Sequence, residues 1–303
     1  MKEKSEIAEL YEDLVKRFVQ LAERRSDIRG ALIVGSRARV EQPADEWADL
    51  DIVVFTSDPE YYLTKTDWTK SIGDYWLTFL EPTAAGNETE RRVLFEGGLD
   101  VDFAIFPLRV YEGFVKNEGL SPEFMAQAVD TFERGVRILV DKDKKLSQFV
   151  DKMSSIERIP PHPPNQPEFL QVVNDFLYHA LWTAKHLKRG ELWWAKMCSD
   201  CHMQHLLLRM TEWHAHAMHG CNYDTWFRGR FLEKWADSRV VEGLHSAFAH
   251  YDVDDLSRAL IEELKLFRWI SQETAEKLQY QYPVEADEHV TEWIKTNLLQ
   301  KKK

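Results

Sequence analysis

A proline-rich segment divides this sequence into two parts with different residue patterns. Residues 159–167 contain five prolines, too many for a helix or a central strand. Before this segment, short apolar runs alternate with helical patterns; after it, apolar residues recur at helical spacing. The pattern predicts an α+β domain at residues 1–157, a linker at 158–167 and an all-α domain at 168–303.

The N-terminal part predicts a mixed β-sheet with flanking helices. Apolar residues recur at helical spacing over residues 7–25 and predict an amphipathic first helix, and a further helix is predicted within 61–72. Gly97-Gly98 stands between two apolar runs and predicts a tight hairpin, hence at least one antiparallel pair. Strands are predicted at 31–34, 51–55, 75–80, 92–95, 99–106 and 136–140.

The C-terminal part predicts a helical bundle, because its apolar residues recur at helical spacing with few strand-like runs. Helices are predicted at 168–189, 191–218, 224–236, 238–250, 253–280 and 286–300.

The overall charge and the cysteine count restrict the class of protein. A formal net charge of -12 disfavours binding to nucleic acid and favours a cationic substrate, although an acidic surface can also serve solubility alone. Three cysteines do not suggest a disulfide framework, and no apolar run is long enough for a signal peptide or membrane span. We therefore expect a cytoplasmic, monomeric protein that binds neither nucleic acid nor membrane.

Asp49 and Asp51 are the first candidate metal ligands. They stand one residue apart at the start of a predicted strand, whose two-residue period points both carboxylates to one face. A divalent cation would relieve their repulsion, and oxygen-only ligands suit Mg²⁺. The same pair also occurs in ordinary solvated turns.

A Gly35-Ser36 turn follows the preceding predicted strand and is a candidate phosphate-binding loop. Glycine permits close approach of the backbone, and the following N–H groups with the Ser36 hydroxyl can hold phosphate oxygens. Arg37 and Arg39 add positive charge for a triphosphate. By itself, Gly-Ser after a strand is an ordinary turn.

Asp102 is a third candidate, because it stands between apolar Val101 and Phe103 in a predicted strand. An ionisable group there is costly unless it is paired, which favours a functional role. Asp100 would share its face of the strand.

These residues together resemble a known superfamily. The pattern resembles that of the polymerase-β-like nucleotidyltransferases. It consists of Gly35-Ser36, twelve intervening residues, Asp49-x-Asp51 and, later in the chain, Asp102 between two apolar residues. Within that superfamily, the sequence is similar to the aminoglycoside 6-adenylyltransferases. The similarity lies in Gly-Ser-Arg-Ala-Arg, Asp-Leu-Asp-Ile-Val, Phe-Glu-Gly-Gly-Leu-Asp-Val-Asp, the segment ending at Asp143 and the segment ending at Glu191.

The resemblance implies an antibiotic-resistance reaction: transfer of AMP from Mg-ATP to a hydroxyl of a streptomycin-type aminoglycoside, releasing pyrophosphate, in a cleft between the two domains. Asp49, Asp51 and Asp102 would hold up to two Mg²⁺ ions. Asp102 would also accept the hydroxyl proton, with Asp100 or Glu96 as alternatives.

The resemblance also implies contacts from the helical part. Lys185 would reach the triphosphate, while substrate contacts are predicted at Asp100, Asp175, Tyr178 and Glu191. Surface salt bridging on a solvated helix is the alternative for Lys185 and Glu191.

A row of cysteines and histidines could suggest a zinc site. Cys198, Cys201, His202 and His205 fall on one face of a predicted helix, but a single straight helix cannot surround an ion tetrahedrally. We therefore interpret this row as part of the helical core.

Two alternatives to aminoglycoside adenylylation stay open. The chain could transfer a nucleotide, from ATP or another triphosphate, to a lincosamide, a small metabolite or a protein. It could also be a catalytically silent nucleotide-binding homologue or an interaction module.

Overall fold

The chain divides into two compact units, Met1–Ile159 and Pro160–Lys303. The structure, a computed structural model, describes residues 6–83, 88–116, 122–153 and 162–298. Residues 158–161 of the predicted linker lie outside the described residues.

The first unit is built on a six-stranded mixed sheet, which confirms the predicted α+β class. Its strands are β1 Ile28–Val34, β2 Leu50–Thr56, β3 Tyr75–Pro82, β4 Thr89–Phe95, β5 Leu99–Pro107 and β6 Arg137–Asp141. Their order is β3-β4-β5-β2-β1-β6, and β2 with β5 is the parallel pair in an otherwise antiparallel ladder. The predicted hairpin is confirmed between β4 and β5, where Gly97 and Gly98 both have positive φ.

Six helices are described in this unit: α1 Glu6–Arg24, α2 Pro59–Thr64, α3 Asp67–Lys70, α4 Leu108–Lys116, α5 Pro122–Glu133 and α6 Lys145–Met153. The single helix predicted within 61–72 is wrong, because the chain is extended at Lys65 between α2 and α3. The Trp68 indole N–H stabilises this break by donating to the carbonyls of Tyr62 and Lys65 at 3.3 and 3.0 Å.

Both faces of the sheet are covered by helices, which explains why β1 and β2 are apolar along most of their length. The α1 side chains Leu14 and Phe18 pack on one face with Ile33 and Ile52. Leu32 and Phe55 point to the opposite face and pack with α4, α5 and α6. This burial fixes the register of β2, and therefore the position of the acidic residues at its start.

The second unit is helical, as predicted. Its helices are α7 Gln166–Lys188, α8 Leu192–Met197, α9 Gln204–His219, α10 Leu232–Trp235, α11 Ser238–Ala247, α12 Val253–Leu278 and α13 Val284–Leu298. A π-helical segment, Cys198–Met203, joins α8 to α9. Among the described residues, no helix has the length and apolar character needed to cross a membrane.

The helix predicted at 224–236 is wrong. Trp226, Arg228 and Phe231 have positive φ, which an α-helix cannot accommodate, and only a 3₁₀ turn and the short α10 form there.

A capping box starts α7 within the proline-rich segment, and the last proline, Pro167, lies in the first turn of the helix. Asn165 accepts from the Glu168 amide at 2.9 Å, while the Glu168 carboxylate accepts from the Asn165 amide at 2.8 Å. The core then forms between α7 and its neighbours, with Phe176 of α7 stacked on Phe267 of α12 at a centroid distance of 3.6 Å.

Candidate active site

Three aspartates meet where β2 and β5 run side by side. The parallel register places Asp51 opposite Asp102, and Asp49 immediately precedes β2. One carboxylate oxygen from each lies within 4.8 Å of the other two. The sheet thus joins residues that are far apart in sequence into one carboxylate cluster, Asp49–Asp51–Asp102.

Gly35 lies against this cluster at the end of β1. Its φ is +69°, and a Cβ atom built there would overlap the Asp51 carboxylate. Val34 pairs with Asp51 across the antiparallel β1–β2 ladder, which brings the turn to this position. Glycine is therefore required both for the backbone conformation and for the space beside the carboxylate.

Ser36, the next residue, is buried, and its hydroxyl has no hydrogen-bond partner within the described part of the chain. Buried hydroxyl groups in folded proteins are normally paired. An unpaired hydroxyl in a turn that contacts a carboxylate cluster fits a site whose partner is a bound ligand oxygen.

Arg37 is held by the protein around the cluster. Its Nε donates to the Asp49 carbonyl at 3.0 Å, and its guanidinium stacks on the Tyr11 ring at 3.5 Å. The Tyr11 hydroxyl donates to Asp100 at 2.8 Å, and burial together with this bond raises the pKa of Tyr11 to about 12. These contacts hold the segment that carries Asp49. Farther along, Arg39 donates to the Gln42 carbonyl at 2.6 Å.

Asp102 is the most buried member of the cluster, with its side chain 9% exposed. Burial raises the pKa of Asp102 to about 7, with Arg92 opposing the rise and the neighbouring carboxylates, Glu90 and Asp49 among them, adding to it. The Arg92 guanidinium lies 3.3 Å from the Asp102 carboxylate. Asp102 can therefore bind a cation or a proton near neutral pH.

Arg92 and Glu90 belong to this site but were not predicted from the sequence. Arg92 also contacts Glu81 at 2.6 Å and Glu90 at 3.0 Å. Burial raises the pKa of Glu90. Counting back along the hairpin from the Phe95–Leu99 pair places Arg92 opposite Asp102, so the sequence contained a signal for Arg92.

The residues present fit a divalent cation such as Mg²⁺. Three carboxylates offer only oxygen ligands, and the Arg92 guanidinium, shared with Glu81 and Glu90, cannot balance all of their charge. Gly35 lets the turn lie against the Asp51 carboxylate, and the Ser36 hydroxyl, without a partner among the described residues, offers a donor for an anionic ligand beside the cluster.

The predicted residues of the helical unit lie along α7 and the start of α8. Lys185 is exposed, with its ammonium 5.8 Å from the Trp293 ring centroid. Tyr178 is exposed as well. Glu191 pairs with His186 and Arg189, which are the contacts expected of a surface salt bridge. Asp175 contacts two histidines, His179 and His202.

Comparison with known proteins gives one family over almost the whole chain. A family model described as streptomycin adenylyltransferase matches residues 9–297. An aminoglycoside 6-adenylyltransferase from Bacillus subtilis (strain 168) is 26% identical, over 93% of this chain and 95% of its own. One from Campylobacter jejuni is 24% identical, over 96% of this chain and 94% of its own. A crystal structure of an aminoglycoside 6-adenyltransferase from Bacillus subtilis covers 95% of this chain and 97% of its own, at 22% identity and a TM-score of 0.45.

Proposed function

Because the chain belongs to the streptomycin adenylyltransferase family and is therefore a nucleotidyltransferase, we propose that it transfers AMP from Mg-ATP to a hydroxyl of a streptomycin-type aminoglycoside and releases pyrophosphate. The observation that carries this proposal is the in-register pairing of Asp51 with Asp102, which completes a three-carboxylate cluster beside the Gly35-Ser36 turn.

Asp49, Asp51 and Asp102 are proposed to hold the metal. When bound, Mg²⁺ would neutralise charge on the triphosphate and on the departing pyrophosphate. Three carboxylates held together, one of them buried, repel one another, and a bound cation would relieve that repulsion.

The turn after β1 is proposed to bind the phosphates. Gly35 lets the turn approach the Asp51 carboxylate closely, and the Ser36 hydroxyl donates to a phosphate oxygen beside it. Arg37 has a positioning role, because its hydrogen bond to the Asp49 carbonyl holds the chain where it enters β2. The Asp49 carboxylate thereby keeps its place in the cluster.

Asp102 is the proposed acceptor of the proton from the substrate hydroxyl. In the cluster without metal, burial raises the pKa of Asp102 to about 7, so its carboxylate is a stronger base than an exposed one. Arg92 stabilises its ionised form before the transfer. The alternative Asp100 already accepts a hydrogen bond from Tyr11.

The acceptor is proposed to be polycationic because the chain is strongly acidic, with a net charge of -12. Five further contacts stay predictions. They are the triphosphate contacts of Arg39 and Lys185 and the substrate contacts of Asp100, Tyr178 and Glu191.

The experiment is an acceptor panel. The protein is incubated with Mg-ATP and a series of aminoglycosides and lincosamides while pyrophosphate release is measured. We expect release with streptomycin-type aminoglycosides. Pyrophosphate release with a lincosamide alone would show that the acceptor is a lincosamide and not an aminoglycoside. No release with any compound would contradict the proposed drug-modifying function.

Variants test the cluster itself. Asp49→Asn and Asp51→Asn should each abolish pyrophosphate release, because each removes one negatively charged metal ligand. Glu46→Gln removes one charge from an exposed position in the same connection and serves as the matched control. Full turnover by Asp51→Asn would overturn the assignment of the cluster.

A further inference from the structure

A second group of metal-ligand side chains lies in the helical unit. Asp175 and His179 stand four residues apart on α7, so they project from the same face one turn apart. His202 joins them from the π-helical segment. Potential ligand atoms of these three residues lie within 4.8 Å of one another.

The two histidine nitrogens converge on one carboxylate oxygen. His179 Nδ1 lies 2.6 Å and His202 Nε2 lies 2.9 Å from Asp175 Oδ1. The imidazole rings are 4.1 Å apart between centroids. Two ligands about 2.1 Å from one Zn²⁺ ion stand about 3.4 Å apart at a tetrahedral angle. Movements of a few tenths of an ångström to about an ångström in these partly exposed side chains would therefore admit an ion.

The π-helical segment places His202 toward α7. Ser199 and Met203, on either side of it, are buried: Ser199 contacts Glu263 of α12, and Met203 accepts a weak hydrogen bond from Thr183 of α7. These anchors hold the segment, and hence the direction of His202. Short π-helical insertions are uncommon and often occur at functional sites.

We propose that Asp175, His179 and His202 bind a divalent first-row transition-metal ion, with Zn²⁺ the best match. Two imidazoles and one carboxylate favour such an ion over Mg²⁺, and three protein ligands leave a coordination position for water or another ligand. The site lies in the helical unit and its ligands differ from those of the carboxylate cluster. This assignment replaces the substrate contact predicted for Asp175 and does not depend on the proposed nucleotidyl transfer.

The sequence row Cys198, Cys201, His202 and His205 is not the proposed ligand set. Within the described residues, His202 clusters with two residues of α7 and not with that row. The objection that one straight helix cannot surround an ion does not apply to ligands from two helices.

The test uses Co²⁺ as a spectroscopic probe of the full-length protein. Metal is first removed with a chelator, and Mg²⁺ is then added in excess to occupy the oxygen-only cluster. We expect one equivalent of Co²⁺ to give strong visible absorption, because low-coordinate Co²⁺ with nitrogen ligands absorbs more than Co²⁺ in an octahedral oxygen site. One equivalent of Zn²⁺ should remove the absorption.

Variants decide whether the three residues are the ligands. His202→Gln and Asp175→Asn should each weaken Co²⁺ binding by at least about 10- to 100-fold, the loss typical of disturbing even the outer groups of a metal site. His205→Gln, an exposed histidine one turn farther along, should bind as the wild type does. The double variant Asp49→Asn/Asp51→Asn should still give the Co²⁺ absorption. This result would show that the absorbing ion is not bound at the carboxylate cluster.

Thermal unfolding without metal shows whether each variant is folded. Zn²⁺ should raise the Tm of the wild type and not that of His202→Gln or Asp175→Asn. The absence of strong Co²⁺ absorption in the wild type would overturn the proposal and leave Asp175 as a hydrogen-bond acceptor for two histidines. Unchanged binding in folded His202→Gln would overturn it as well.

Discussion

A buried hydroxyl without a hydrogen-bond partner is unusual, and Ser36 carries one, within the described part of the chain, in the turn that contacts Asp51. Its place can be explained in two ways. If the hydroxyl only fills space, its removal has little effect on either stability or activity. If it donates to a phosphate oxygen, its removal affects catalysis and leaves the free protein intact.

We predict that Ser36→Ala lowers kcat/KM for Mg-ATP by about 10- to 100-fold, as expected for one hydrogen bond to a charged group. The free energy of unfolding should stay the same or rise slightly, because the hydroxyl makes no hydrogen bond to any of the residues that the structure describes. Steady-state kinetics and urea unfolding measure the two quantities. Wild-type kcat/KM in the variant would contradict the phosphate role.

At the residue scale, the sequence could predict the acidic side chains but not all of their surroundings. Asp49 and Asp51 follow from strand periodicity, and Asp102 follows from its apolar neighbours. The interaction of Arg37 with the Asp49 carbonyl could not be foreseen, because it depends on how the intervening loop folds back. For the same reason, the contact between His202 and Asp175 is not visible along a single helix.

At the scale of elements, regular patterns were predicted well and interruptions poorly. All six strands and most long helices follow from periodicity, whereas α4, α5 and α6 were not predicted. The segment at 224–236 has a helical pattern, but the positive φ angles of Trp226, Arg228 and Phe231 interrupt the helix. The parallel pairing of β2 with β5 brings Asp51 to Asp102, and no local pattern specifies a pairing over that separation.

The contact between α12 and α13 supplies an element-scale prediction. Arg268 of α12 donates to the buried Asp287 carboxylate of α13, which also accepts from Tyr282 at 2.8 Å. Burial alone would raise the pKa of Asp287, but the bonds from Arg268 and Tyr282 outweigh burial and lower it. The ionised carboxylate therefore stabilises the folded protein above the unfolded-state pKa, and this contribution is lost as pH falls through the lower folded-state pKa.

We predict that Asp287→Asn lowers the free energy of unfolding at pH 7 by about 2–3 kcal/mol. The difference from wild type should begin to shrink below about pH 4, where the carboxylate of the unfolded chain takes up a proton, and should disappear as the pH falls through the lower folded-state pKa. Urea unfolding across this pH range measures it, with the exposed Glu288→Gln on the same helix as the control. A difference that does not change with pH would show that the packing of Asp287, and not its charge, stabilises the contact.

At the scale of the whole molecule, the net charge of -12 acts on any charged substrate before contact. A polycationic aminoglycoside is attracted and Mg-ATP is repelled, and added salt screens both interactions because the Debye length falls from about 30 Å at 0.01 M to about 8 Å at 0.15 M. We therefore predict that raising the ionic strength over this range increases KM for the aminoglycoside several-fold. The KM for Mg-ATP should stay constant or fall.

Steady-state kinetics at fixed pH and fixed Mg²⁺, with each substrate varied in turn, measure both constants in one preparation. The different responses of the two KM values provide an internal control, because a general effect of salt on folding would change both measurements together. An aminoglycoside KM independent of salt would mean that the acidic surface does not select the acceptor. The charge would then serve solubility, and acceptor choice would depend on short-range contacts alone.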